Sequence, residues 1–86
     1  MPSPMLIALD YDKTYTVDPA LWDRFIRDAE INGHVVKIVT MRYPHEAITN
    51  VPCEVVYTSR QAKSKIIKAD VWIDDSPHWI YQDAIC

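Results

Sequence analysis

The residues Met5-Leu6-Ile7-Ala8-Leu9-Asp10-Tyr11-Asp12-Lys13-Thr14 decide how the rest of the chain reads. Five apolar side chains run without a break into two aspartates spaced i, i+2, with a threonine behind them. Such a run, bounded by polar residues, predicts a strand buried on both faces, the kind that belongs to parallel sheets. Ligands of open α/β sheets bind beyond the carboxyl ends of their strands. The two carboxylates stand at that end, where chemistry is expected.

The pattern recurs downstream. Val35 to Val39 runs into Thr40, Glu54 to Tyr57 into Thr58-Ser59, and Val71 to Ile73 into Asp74-Asp75. Between the first two strands, Asp18-Pro19 is an N-cap followed by proline at the first helical position. Leu21, Trp22, Phe25, Ile26 and Ala29 then share one helical stripe, with Asp23, Arg24, Arg27 and Asp28 opposite. Gly33, the only glycine, stands where that helix needs a C′ residue of positive φ. Pro44 predicts a short helix to about Thr49. Gln61 to Lys68 reads as another, with Ala62, Ile66 and Ala69 inward and lysines outward. Ser76-Pro77 repeats the cap signal for a terminal helix from Pro77 to about Ala84.

Alternating strands and helices define the expected fold class: α/β, a three-layer Rossmann-like sandwich of about four parallel strands, with helices on both faces and right-handed crossovers. The connections are too short for a second domain, so one domain spans residues 1–86. With 86 residues, 49% of them hydrophobic, a core forms but is small, and packing into a homo-oligomer would aid it. A net charge of -3 argues against a nucleic-acid binder working by bulk electrostatics, while leaving a nucleotide substrate open. Cys53 and Cys86 lack metal-type spacing and read as free thiols in a reducing cytosol. No apolar run approaches membrane-spanning length, and Met1-Pro2-Ser3-Pro4 has none of the regions of a signal peptide. A soluble cytoplasmic protein without a membrane partner is expected.

Asp10, Asp12, Asp74 and Asp75 are thus brought to one sheet edge. Two like charges about 4 Å apart repel by roughly 4 kcal/mol at an effective dielectric near 20. A protein keeps such a group by raising a pKa or by binding a cation. Oxygen ligands without a nearby His or Cys select Mg²⁺ over zinc or copper. A single aspartate at a strand end is commonly a cap or turn former. Two acidic pairs at the ends of two buried strands point instead to a site. His34, His45 and His78 share no ligand spacing, and one glycine leaves no phosphate-binding glycine loop.

These motifs resemble those of haloacid dehalogenase superfamily phosphatases. Leu6 to Thr14 is similar to their first motif, an apolar strand followed by D-x-D-x-T. Ile38-Val39-Thr40 resembles the second, and Val71 to Pro77 the fourth, an apolar strand ending in two aspartates. The third is a lysine, for which Lys63 stands nearest the strand ends, ahead of Lys65 and Lys68. The resemblance implies a minimal, capless Mg²⁺-dependent phosphomonoester hydrolase working through an aspartyl-phosphate. Asp10 would be the nucleophile and Asp12 the acid and base. Thr40 and Lys63 would bind the phosphate, with Lys65 the runner-up for the lysine; Arg42, which follows Thr40 in the chain, could line the site rim, although a helix-entry loop would look the same. Asp10, Asp74 and the backbone carbonyl of Asp12 would hold the metal, with Asp75 supporting or joining the shell through water. Its partner would be a phosphorylated small molecule or a nucleotide or oligonucleotide end. The alternative it implies is a catalytically degenerate phosphate-binding or assembly module of the same family; a phosphoacceptor receiver ranks behind it, because its acidic pair comes first and its lysine last. Lys13 departs from the family pattern by standing where glycine is usual, so the turn after Asp12 must be made with a side chain.

Overall fold

The computed structural model describes residues 3–84. Four strands, β1 (Leu6–Leu9), β2 (Val35–Thr40), β3 (Glu54–Tyr57) and β4 (Val71–Ile73), form one sheet in the order β3-β2-β1-β4. Every pairing is parallel. The molecule is therefore α/β, as the alternating pattern predicts. β1 is central. Ile7 and Leu9 point to one face and Ala8 to the other, and all three are buried. That two-sided burial is why the run lacks polar alternation.

The first face is covered by α1 (Pro19–Ile31), whose Ile26 joins Ile7, Leu9, Val36, Ile38 and Tyr15 in the core. Trp22 and Phe25 close its margin edge to face, with ring centroids 5.7 Å apart. Asp18 caps α1 by accepting a hydrogen bond from the Leu21 N–H at 3.2 Å. Gly33, at φ +86°, ends it: its N–H donates to the Glu30 carbonyl, and the His34 N–H donates to the Ala29 carbonyl. Leu21, expected on the buried stripe, lies at the rim and is half exposed.

The other helices are shorter than their patterns predict. Residues 44–46 make only a turn and a bend, and 47–49 are irregular. Six residues cannot sustain a helix unaided, and the Ile48 N–H is taken by the Tyr57 hydroxyl at 2.9 Å. Asn50 then turns left-handed at φ +61°, so β2 crosses to β3 without a helix. The Gln61 to Lys68 pattern yields only α2 (Lys63–Ile66), because Ile67 is extended. The terminal pattern yields α3 (His78–Tyr81), which stops at an extended Gln82. The residues that follow are drawn back onto α2: Asp83 accepts from the Ala62 N–H at 2.7 Å, and the Ala84 N–H donates to the Arg60 carbonyl at 2.7 Å. A turn of 3-10 helix (Tyr15–Val17), absent from the sequence pattern, joins β1 to α1.

Cys53 is a half-buried free thiol, and burial pushes its pKa up to about 11, which makes it a poor nucleophile. Cys86 lies outside the described residues. Among those residues no helix is long and apolar enough to cross a membrane.

The packing makes a direct prediction. Leu9→Ala, at the fully buried centre of the sheet, should cost about 3 kcal/mol in urea unfolding. Leu21→Ala, at the exposed rim, should cost less than about 1 kcal/mol.

Candidate functional site

Register alone brings the acids together. Leu9 is paired with Ile73, so the next residues, Asp10 and Asp74, leave adjacent strands side by side, roughly 4.8 Å apart in backbone spacing. The Asp10 N–H completes the ladder by donating to the Ile73 carbonyl at 2.9 Å. Asp75 follows at once. One carboxylate oxygen from each of Asp10, Asp74 and Asp75 lies within 4.8 Å of the others.

Lys63 reaches this group from the first residue of α2. Its ammonium donates to Asp10 Oδ1 at 2.8 Å and to Asp74 Oδ2 at 2.6 Å, and its side chain is only 3% exposed. A buried ammonium is held only when paired and hydrogen-bonded. The loop ahead of it is shaped to deliver it, with Ser59 and Arg60 both left-handed at φ +52° and +69°. Ser76 donates its N–H to Asp74 Oδ1 at 2.9 Å, fixing the other oxygen.

Thr14 closes the remaining side. Its hydroxyl lies 3.2 Å from Asp10 Oδ2 and 3.1 Å from Asp75 Oδ1. One hydroxyl proton cannot serve two carboxylates at once. Burial first, and then a hydrogen bond with Asp75, push the Asp10 pKa up to about 6, against the opposing pull of Lys63. The same bond with Asp10 holds Asp75 below the usual carboxylate range.

Asp12 is directed elsewhere. Arg42 grips its carboxylate with two donors, Nε at 3.0 Å and Nη2 at 2.7 Å, and stacks over the Tyr11 ring. Its carboxylate is thus outside the trio that can share an ion. Lys13 makes the intervening turn at φ +66°. Thr40 is buried at the end of β2, its hydroxyl accepting from the Arg42 N–H at 3.2 Å. Lys65 points away and pairs with Asp83 at 2.8 Å. Asp10, Asp12, Thr40, Arg42, Lys63, Asp74 and Asp75 all line one cavity of about 280 Å³, and Lys65 does not. Arg60 and Trp79 also line it. No local motif marks them, since the left-handed turn and the packing of α3 on α2 bring them in.

A family model for the protein kinase C delta/epsilon/eta/theta C2 domain matches residues 10–79. By that match, over well more than half of its length, the chain belongs to this family. No curated protein and no solved structure matches. The architecture differs from the family's usual one, since C2 domains are usually β-sandwiches and this sheet is parallel with helices between strands. Membership rests on the sequence match alone.

The match corrects the phosphatase resemblance. C2 domains are regulatory binding domains, so the match overturns the haloacid dehalogenase family, the hydrolase activity and the aspartyl-phosphate mechanism. The degenerate form of that family is set aside with them. The misleading signal has a physical source: short apolar strands ending in acids arise wherever a parallel sheet gathers charge at its carboxyl edge, and the motifs that carried the resemblance are each only a few residues long.

The raised pKa of Asp10 has a definite sign. Its folded value of about 6 exceeds the ordinary 3.8, so its contribution to stability is full below 3.8 and lost as pH rises through 6. The Asp10 carboxyl carbon should titrate near pH 6 by NMR. The stability of the metal-free protein relative to Asp10→Asn should fall between pH 4 and 7; a flat difference would contradict this environment.

Proposed function

We propose that this chain is a regulatory binding domain whose working element is a divalent-cation site formed by Asp10, Asp74 and Asp75. The observation that carries it is the charge at the cavity floor. Three carboxylates converge there against a single ammonium, that of Lys63. One added divalent cation brings the ionised group to neutrality. All three ligand atoms are hard oxygens, with no His or Cys in the group, which suits Mg²⁺ or Ca²⁺. One oxygen from each carboxylate leaves half of an octahedral shell to water, as Mg²⁺ prefers, and Mg²⁺ is the ion we assign. Arg42, Arg60 and Lys13 line the same cavity, so the partner suited to the loaded site is anionic.

The layered fold supports this placement. β2 and β4 lie on opposite sides of β1. Crossovers of one hand running in opposite directions put α1 and α2 on opposite faces, giving a three-layer sandwich in one domain. In that arrangement α2 serves to bring Lys63 to the sheet edge. A cytosolic setting agrees with the free thiol of Cys53.

Calorimetric titration tests the reading. Mg²⁺ should bind at one site and raise the thermal midpoint. At a hundredfold excess over Kd it should stabilise the fold by about 2.7 kcal/mol. Asp74→Asn should abolish both effects. Absence of binding at millimolar Mg²⁺ and Ca²⁺, or equal binding by Asp74→Asn, would contradict it.

A further inference from the structure

We infer that the open edge of β4 is a docking surface for an extended peptide of alternating apolar and basic residues, which joins the sheet as an added strand. β4 ends the sheet order. The Ile73 carbonyl accepts from the Asp10 N–H on β1. Successive strand residues offer their backbone groups to opposite sides, so the Trp72 N–H and carbonyl point away from β1. Among the described residues neither has a hydrogen-bond partner. Natural edges are blunted by charges, prolines or bulges. β3, the other edge, carries Glu54, paired with Lys37 at 3.5 Å. Val71-Trp72-Ile73 carries no charge and no proline. An edge left in that state is one that pairs.

The face beside this edge is bare as well. By register, Val71 and Ile73 share the α1 face with Val36 and Ile38. Val36 is 2% exposed and Val71 37%, so α1 covers the middle of the sheet and stops short of β4. Next to Ile73 a groove of about 490 Å³ runs between the strand, the Tyr15–Val17 turn and the first turn of α1, lined by Val17, Leu21 and Trp22. A strand laid against β4 sends every second side chain over this face, and apolar groups there cover Val71, Ile73 and Leu21. The side chains between them fall on the opposite face, beside the half-buried Trp72 ring, which favours a cation.

Charge selects the occupant. Exposed carboxylates bracket the edge, Asp70 before β4 and Asp75 after it, and exposed Asp18 stands at the groove. Among the described residues Lys13 is the one cation lining the groove. A second copy of the chain meets this charge with its own. Paired antiparallel about Trp72, it sets the Asp70 end of one chain against the Asp74-Asp75 end of the other, and like charges opposite one another destabilise a sheet. A basic strand meets the same acids with opposite charge.

Titration of the ¹⁵N-labelled full chain in EDTA tests this with two capped peptides of about six residues, one alternating lysine and valine, the other glutamate and valine. The lysine peptide should saturate the chain, shift the Trp72 and Ile73 amides and the Trp22 indole, and protect the Trp72 amide from hydrogen exchange. It should bind roughly tenfold or more tightly than the glutamate peptide, and lose roughly tenfold on Leu21→Lys, which sets a like charge at the groove. Should Leu21→Lys fail to fold, Val17→Lys, at a position 74% exposed, takes its place. No saturation at millimolar peptide, equal binding of the two peptides, binding unmoved by the lysine substitution, or shifts confined to β3 overturns the proposal. Sedimentation showing a dimeric free chain whose Trp72 amide is already protected also overturns it, and gives the edge to a second copy. Because EDTA removes divalent ions, none of these outcomes bears on the cation reading.

Discussion

An ammonium seated between two carboxylates from adjacent strands is the interaction on which the rest of this molecule turns. Asp10 and Asp74 are neighbours because the β1–β4 register leaves them no alternative. Side by side and shielded from water, they repel. Lys63 offsets that repulsion, and its burial ties α2 to the sheet edge through two short bonds. Breaking one member of such a buried group costs several kcal/mol, since it strands the others without partners. The left-handed pair Ser59 and Arg60 follows from the same demand. Non-glycine residues adopt that conformation at a cost of about 1 kcal/mol or more each, and here it turns the chain so that Lys63 can reach the acids.

Two layers of organisation surround this core. Asp75 and Thr14 complete the inner layer, where burial first, and then the hydrogen bond with Asp75, push the Asp10 pKa up to about 6. The outer layer is arginine and aromatic. Arg42 is stacked on Tyr11 and bound to Asp12, and Arg60 lies over Tyr43. The floor of the cavity is therefore acidic, while at its rim Arg42 is paired with Asp12 and Arg60 with Glu46. An acidic floor suits a site that takes a cation, in keeping with the regulatory character of the family the sequence matches. Sequence match and architecture nonetheless point in different directions. The one assigns a C2 domain, and the other is a parallel α/β sheet, so the electrostatics of the site, which the β1–β4 register sets, carry the functional reading.

Much of the architecture was legible in the residues. The apolar strands announce themselves because burial on both faces removes every polar position, and α1 does so through Asp18-Pro19 at one end and Gly33 at the other. The shorter helices were not legible. α2 stops at an extended Ile67, and α3 stops where Asp83 and Ala84 are drawn back to Ala62 and Arg60, a contact between distant segments that no local propensity encodes. The gathering of Asp10, Asp74 and Asp75 could be read from strand ends. The departure of Asp12 to Arg42 could not, because it depends on how the 41–53 crossover folds over the site. Family was the least legible of all: the acidic strand ends suggested a phosphatase, and the family match overturned it.

The most direct test of the central claim is diffraction from crystals soaked in Mn²⁺, whose anomalous signal locates the ion without assumption. The account predicts a single strong peak bound by Asp10, Asp74 and Asp75. An ion held elsewhere, or no ion at millimolar Mn²⁺ with Lys63 still bridging the carboxylates, would contradict it.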